Sequence, residues 1–359
     1  MLSTAKNDRN SGLDFLRIIA MCGIIMLHML GQGGVLHAKD PDQIQYWIAW
    51  WVEIVAYCSV DVFALLSGYL GIFRKKDSVY RILELIVTIA FYSIIITVLF
   101  GVFMPGSIEG VKSLIGSLCP PLIGRYWYIT CYIPLAFFAP YINKALLSLT
   151  EHQHKMLCIL ILVLFSVVPS LCHTDFFVLK QGYSFAWLFT CYIIGAYIKR
   201  TKFSNRFLNI WLFAGFSFVL LFGNILGYLL FGRNIQYCIS YTSPFVLAMA
   251  VVLLVQFERI KAAALTKILI GLSAAAFDVY IIHCHVLIYD KLFLDNFKWI
   301  ADLPLWVIPI AVVIIAAIIY LLLSIIGRVR IWFFKLLHVN NLIKRVSEKM
   351  DSILYQPTE

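Results

Sequence analysis

Arg17 and His28 lie eleven residues apart in one apolar run, Leu13 to His28, where ionisable side chains are costly to keep. A cation near the middle of a membrane-spanning helix costs roughly 2.5–3.5 kcal/mol on insertion scales, so it faces a protein interior or a wet cavity. At about 100° per residue, eleven residues overshoot three turns by about 20°. Both side chains therefore share one face, roughly 16 Å apart along the axis. Asp14 is on the same stripe, three residues before Arg17, and allows an intrahelical ion pair that lowers the cost of burying both. A histidine, with an unperturbed pKa of about 6.5, is well suited to take a proton from a hydroxyl at neutral pH. A base at one depth and a cation half a membrane below it suggest a lined cleft, with a reaction or a passage running through it. The plainer alternative is an interfacial histidine and an arginine that snorkels to headgroups.

The next apolar run holds two acids, Glu53 and Asp61. Asp61 and Gly68 share a face, since seven residues leave only about −20°, and Ser67, Gly68 and Gly71 permit close helix approach. A carboxylate at membrane depth needs a partner; a nearby His or Arg would serve, and so would a purely structural ion pair. His283 and His285 stand two apart and point about 200° from one another on a helix, so they cannot chelate one metal together. His173-Thr174-Asp175 reads as a solvated outer loop. Arg125, beside Tyr126 and Trp127, reads equally as an interfacial anchor or a sugar contact. The nine cysteines form no Cys-x-x-Cys pair, and most sit in apolar runs as small hydrophobes, so neither disulfides nor a metal site is expected. No His-Glu-x-x-His, phosphate-binding glycine loop or nucleophile elbow occurs.

A bundle of membrane helices must position these residues. Of the 359 residues, 62% are apolar and only 13% charged, which excludes an ordinary soluble domain and predicts an all-α, polytopic membrane protein. About ten spans can be drawn, over residues 12–31, 46–73, 80–104, 126–147, 155–172, 183–199, 207–231, 240–257, 267–289 and 304–327. The segment 107–118 suits a short interfacial helix. Residues 328–354, with Arg328, Arg330, Lys335, Lys344 and Arg345 among Ile, Trp, Phe and Leu, suit an amphipathic helix on the inner leaflet. One integral-membrane domain over 1–359 is predicted, with its core at about 12–327, no internal repeat and no cleavable signal peptide. Alternate connections carry Arg74-Lys75-Lys76 with Arg81, Lys144 with Lys155, Lys199-Arg200 with Lys202 and Arg206, and Arg259 with Lys261 and Lys267. By the positive-inside rule that side is cytoplasmic, and both termini with it. The net charge of +10 is thus topogenic and headgroup-facing, and no nucleic-acid partner is expected.

Leu13-Asp14-Phe15-Leu16-Arg17, the Arg-x10-His spacing to His28, and Val60-Asp61-Val62-Phe63 followed by Leu66-Ser67-Gly68-Tyr69 resemble acyltransferase family 3, a family of integral membrane proteins. Tyr126-Trp127-Tyr128-Ile129 is similar to that family's aromatic start to a span. Phe277-Asp278-Val279-Tyr280-Ile281-Ile282-His283 is similar to its late Tyr-Leu-Ile-His segment, and Arg74-Lys75-Lys76 with Arg81 to its second cytoplasmic connection. The likeness spans about residues 12–325; Ala64 and Leu65 depart from the bulkier aromatic residues often found there, which touches packing more than chemistry.

The resemblance implies a ten-helix enzyme of a bacterial cytoplasmic membrane. Such an enzyme moves an acyl group, most often acetyl, from acyl-CoA to a hydroxyl of an extracytoplasmic or lipid-linked glycan. It implies His28 as the catalytic histidine and Arg17 as its essential partner, with acyl-CoA as co-substrate and no permanently bound cofactor. Asp61 or Asp14 would orient the imidazole. Arg17, Arg74, Lys75, Lys76 and Arg81 are the candidate acyl-CoA contacts, and Arg125, Trp127, His283 and Ser67 the candidate substrate contacts. Some members carry an appended extracytoplasmic esterase-like domain. None follows here before Glu359, so direct transfer, or a separate transferase or polysaccharide-synthesis partner, is expected. The competing class is a polytopic transporter of a glycan or small solute, with Arg17 and Asp61 as pathway groups. A scaffold for a polymer-synthesis complex is the third.

Overall fold

Asn10 starts the first helix by accepting the Gly12 and Leu13 amides at 2.9 and 3.3 Å, and Asp14 in the first turn suits the positive end of the helix dipole. The computed structural model describes residues 10–74, 78–260 and 265–354, and their regular structure is helical throughout. In chain order the helices are α1 (Ser11–Leu30), α2 (Ile44–Gly71), α3 (Ser78–Phe103), α4 (Gly110–Leu118), α5 (Trp127–Ser148) and α6 (Glu151–Cys172). They continue as α7 (Phe185–Thr201), α8 (Ile210–Phe231), α9 (Pro244–Glu258), α10 (Thr266–His283), α11 (Val307–Leu336) and α12 (Val339–Leu354).

Seven of these, α1, α2, α3, α6, α8, α10 and α11, are long and apolar enough to cross a membrane, which makes this a multi-pass membrane protein. The sequence predicts about ten. The remaining three expected spans are also helices, but α5 is less apolar and carries Pro134 and Pro140, while α7 and α9 have only 17 and 15 residues. The physical reason is enclosure: Trp187, Leu188 and Cys191 of α7, and Val246, Met249 and Ala250 of α9, are fully buried against other helices. A helix walled by protein needs no full-length apolar face towards lipid.

The long α2 is the spine, packed against α7, α1 and α9. Its membrane window is 78% buried, against 17% for α6, which shows lipid an apolar outer face. Gly68 and Gly195 bring α2 and α7 together backbone to backbone; a Cβ on Gly68 would run into the Tyr192 carbonyl, and one on Gly195 into the Leu65 carbonyl. Gly68→Ala should therefore cost at least about 1–3 kcal/mol by overpacking, read as a lower unfolding temperature in detergent. An unchanged melting curve would show that the two helices have slack at this point.

The short helix expected over 107–118 is α4. The stretch 328–354, predicted as one surface helix, is divided. α11 runs nine residues past 327 to Leu336, the chain breaks at Leu337 and at His338 (φ +53°), and only then does α12 begin. Within the extended end of α11, Arg330 does not reach for headgroups. It is drawn inward to Asp278 of α10, with Nε to Oδ1 and Nη2 to Oδ2 both at 2.8 Å, and Tyr92 of α3 donates to Asp278 Oδ1 at 2.8 Å. On the other side of the bundle, the loop after α1 is clipped to residues 295–297 by Asp295 N to Gln32 O and Phe297 N to Gly33 O, each 3.0 Å.

Candidate active site

His28 sits in the last turn of α1, and α10 ends so that His283 meets it. The helix stops there because Cys284 and His285 leave it: His285 takes an extended conformation, accepts the Leu287 amide on Nδ1, and places Nε2 2.9 Å from Ser117 O. His283 Nδ1 is 2.6 Å from Val279 O, and His283 Nε2 is 3.1 Å from His28 Nδ1. A carbonyl only accepts, so the proton of a neutral His283 belongs on Nδ1 and its Nε2 carries a lone pair. His28 Nδ1 then donates to that lone pair, and His28 is left with a basic Nε2. This is the tautomer a proton acceptor needs.

Cys284 Sγ completes a tight group, 3.4 Å from His283 Nε2 and 3.8 Å from His28 Nδ1. The three donor atoms lie within 4.8 Å of one another, a spacing that a metal ion such as zinc would accept. The sequence predicts no metal here, because it cannot bring Cys284 and His283 to His28. The His–His hydrogen bond occupies the same two nitrogens, with a proton where a metal would sit.

Three cavities follow one face of α2. Outermost is a cavity of about 510 Å³ lined by His28, Gln32, Glu53, Tyr57, Trp127, Tyr183, Tyr241 and Tyr289, among others. It shares Leu27, His28, Trp127 and Tyr241 with a narrow apolar slot of about 30 Å³ that continues inward past Met21, Ile24, Val60, Phe63, Tyr128 and Phe277. At the far end a third pocket is lined by Ser67, Gly71, Arg74, Arg81, Asn143 and Tyr192. Its wall is fixed by Asn143 Nδ2 donating to Gly71 O (2.9 Å) and Tyr192 Oη to Asn143 Oδ1 (2.8 Å). Between slot and pocket stands a layer of rings: Tyr132, in the pocket wall, has its centroid 6.3 Å from Tyr128 and 6.2 Å from Phe277. The residues at 53, 57, 60, 67 and 71 recur every three or four positions, or one further turn on, so a single stripe of α2 serves all three spaces. From Glu53 to Gly71 that stripe runs about 27 Å, close to the thickness of a hydrocarbon core.

The other sequence candidates fall into separate groups. Arg17 pairs with Asp14 at 3.1 Å, the ion pair the sequence allows, and Ser273 donates to Asp14 at 2.8 Å; Arg17 lines none of the three cavities. Asp61 is fully buried and accepts from Trp187 Nε1 at 2.9 Å. Among the described residues, the hydrogen-bond partners of the His28 ring are His283 and Cys284, not Asp61 or Asp14. His283 is fully buried behind His28 and outside the walls of the outer cavity and the slot. Trp127 lines both of those spaces. Arg125 pairs with Asp290 at 2.8 Å and lies over the Tyr289 ring, 5.1 Å from its centroid. Ser67 belongs to the basic pocket with Arg74 and Arg81, not to the outer cavity, and its hydroxyl donates to Phe63 O at 2.9 Å. Lys75 and Lys76 lie outside the described residues. Sequence reasoning passed over Glu53 as a site residue; its place one helical turn before Tyr57 on the α2 stripe was the available signal.

A family model described as an acyltransferase domain matches residues 10–327 of the chain. The protein belongs to acyltransferase family 3. No curated protein and no solved structure matches it. The acyltransferase match runs from the cap of α1 into α11, so it takes in His28, His283 and all three cavities, and it ends three residues before Arg330.

Proposed function

We propose that this acyltransferase takes an acyl group, most readily acetyl, from cytoplasmic acyl-CoA and places it on a hydroxyl of an extracytoplasmic or lipid-linked glycan in a bacterial plasma membrane. One observation carries the reading: His28 stands where a narrow apolar slot opens into a wide polar cavity, with a basic pocket in line beyond the slot. Arg74 and Arg81 would hold the phosphates of CoA, and Lys75 and Lys76 extend the same cationic stretch of sequence. The acyl arm would enter along the slot. His28 Nε2 takes the proton of the acceptor hydroxyl as its oxygen attacks the thioester carbonyl. The C–O bond forms, the C–S bond breaks, and the thiolate leaves with the proton that His28 returns. The same nitrogen is available for a two-step route in which His28 carries the acyl group. In either route His283 is the positioning residue that fixes which nitrogen of His28 is basic.

The slot also favours an enzyme over a glycan exporter. Apart from His28 its lining is aliphatic and aromatic, a poor path for a hydroxyl-rich ring, and the two groups expected to mark a pathway, Arg17 and Asp61, are engaged with Asp14 and Trp187. Both termini cytoplasmic is the matching orientation, and a separate transferase or synthesis partner remains part of the proposal.

The test is acetyl-labelled CoA given to membranes containing the protein and a crude envelope glycan fraction. Base-labile label is expected in the glycan or lipid-linked pool; none from acetyl or succinyl donors would overturn the reading. The double variant Arg74→Ala/Arg81→Ala should raise KM for acyl-CoA by about tenfold or more, worth about 1.4 kcal/mol, with kcat little changed. An unaltered KM would remove the basic pocket from donor binding.

A further inference from the structure

Glu53 is a carboxyl group on a membrane-spanning helix, 7% exposed, and its Oε2 is enclosed without a hydrogen-bond partner. Buried polar atoms are nearly always satisfied by protein or water, and an ionisable side chain at membrane depth is retained for what it binds. Glu53 lines the outer cavity that His28 also lines. Around it stand aromatic rings in mutual contact: Tyr57 and Tyr183 each 5.1 Å from Tyr241, and Trp127 4.6 Å from Tyr183. Rings with apolar faces and one carboxyl group that lacks a partner make a surface for a flat, hydroxyl-rich ring, whose C–H face stacks while its hydroxyls hydrogen-bond to the carboxyl.

Charge narrows the ligand further. Among the described residues, no Lys or Arg lines this cavity. Two cations reach residues that do line it, and each already carries an acid. Arg125 lies over Tyr289 but pairs with Asp290, and Lys298 pairs with Asp295 at 3.0 Å. Among the described residues, an acidic sugar would find no unpaired Lys or Arg at this cavity to balance its charge; His28 and His37 are the remaining basic groups of its wall.

We infer that Glu53 anchors the acyl acceptor in the outer cavity by accepting hydrogen bonds from its hydroxyls, and that the acceptor residue held there is a neutral sugar, not a uronic or otherwise acidic one. This rests on reading the outer cavity as the acceptor side. A binding experiment separates its fate from that of acyl transfer, because it needs no turnover.

Purified protein in detergent would be titrated with maltotriose and with trigalacturonate, following tryptophan fluorescence, for wild type, Glu53→Gln and Glu53→Leu. Maltotriose should bind the wild type at least tenfold more tightly than trigalacturonate. Glu53→Leu should weaken maltotriose at least tenfold. Glu53→Gln, the same shape with one oxygen exchanged for an amide donor, should retain part of that binding. Equal maltotriose affinity in all three proteins, a wild-type preference for trigalacturonate, or no binding of either oligosaccharide would overturn the inference. Failure of acetyl label to reach any glycan, with these affinities as expected, would overturn the transfer reading and leave the sugar site standing.

Discussion

Membranes carrying His28→Ala should transfer acyl groups about 10²–10⁴ times more slowly than wild type, the range that loss of a positioned general base commands. The KM for acyl-CoA should stay near its wild-type value, because the basic pocket at the far end of the slot is untouched. Companion variants test the tautomer. His283→Gln can still accept from His28 Nδ1 and should keep most of the rate, whereas His283→Leu removes the acceptor and should lower kcat sharply without moving either KM. The replaced bond is the 3.1 Å contact between the rings. If His28→Ala, folded and inserted, labels glycan as fast as wild type, His28 has no part in the chemistry. If the Gln and Leu variants of His283 behave alike, the ring contact only fills space. Zinc copurifying with the wild type and absent from His283→Gln would replace the hydrogen bond with a metal as the link between the two rings.

The largest effect on stability should come from Arg330→Leu. The Arg330 and Asp278 side chains are 8% and 1% exposed and joined by two 2.8 Å contacts, so removing the cation leaves a buried acid whose remaining hydrogen bond, among the described residues, is from Tyr92. Breaking such a pair from one side costs about 3–5 kcal/mol, while replacing both partners with apolar residues is often close to neutral. A fall of several degrees in detergent melting temperature is therefore expected for Arg330→Leu, with much of it recovered in Asp278→Leu/Arg330→Leu. Equal melting for single variant and wild type would mean that the pair is incidental. The loss should reach the active site as well, because Asp278 is on the helix that ends in His283 and is flanked by Phe277, a wall of the slot.

Much of the site was legible one helix at a time. The Arg17–His28 stripe, the Asp14–Arg17 pair and the small residues of α2 all follow from the period of a single helix. The match over residues 10–327 agrees with the family that those residues resemble. What stayed hidden depends on contacts between distant segments. His283 is 255 positions from His28, and nothing in either helix's own periodicity says that their rings meet. Arg330 reads as an interfacial cation until Asp278 is brought beside it, 52 positions away in sequence. Enclosure likewise lets α7 and α9 be short, at 17 and 15 residues, and enclosure is a property of neighbours. The missing partner of Glu53 Oε2 is visible only once every neighbour is in place.

The rings of Tyr128, Tyr132 and Phe277 stand between the slot and the basic pocket. An energised bilayer stores roughly 2.3 kcal/mol per elementary charge for each 100 mV, and any continuous file of water would discharge it. On the proposed reaction, with donor and acceptor on opposite faces, a thin, uncharged arm would part those rings while protons and salt stay out. With an insulating layer of this kind the two vestibules would need no alternating gates, and the proposed reaction would run continuously without spending the ion gradient on leakage.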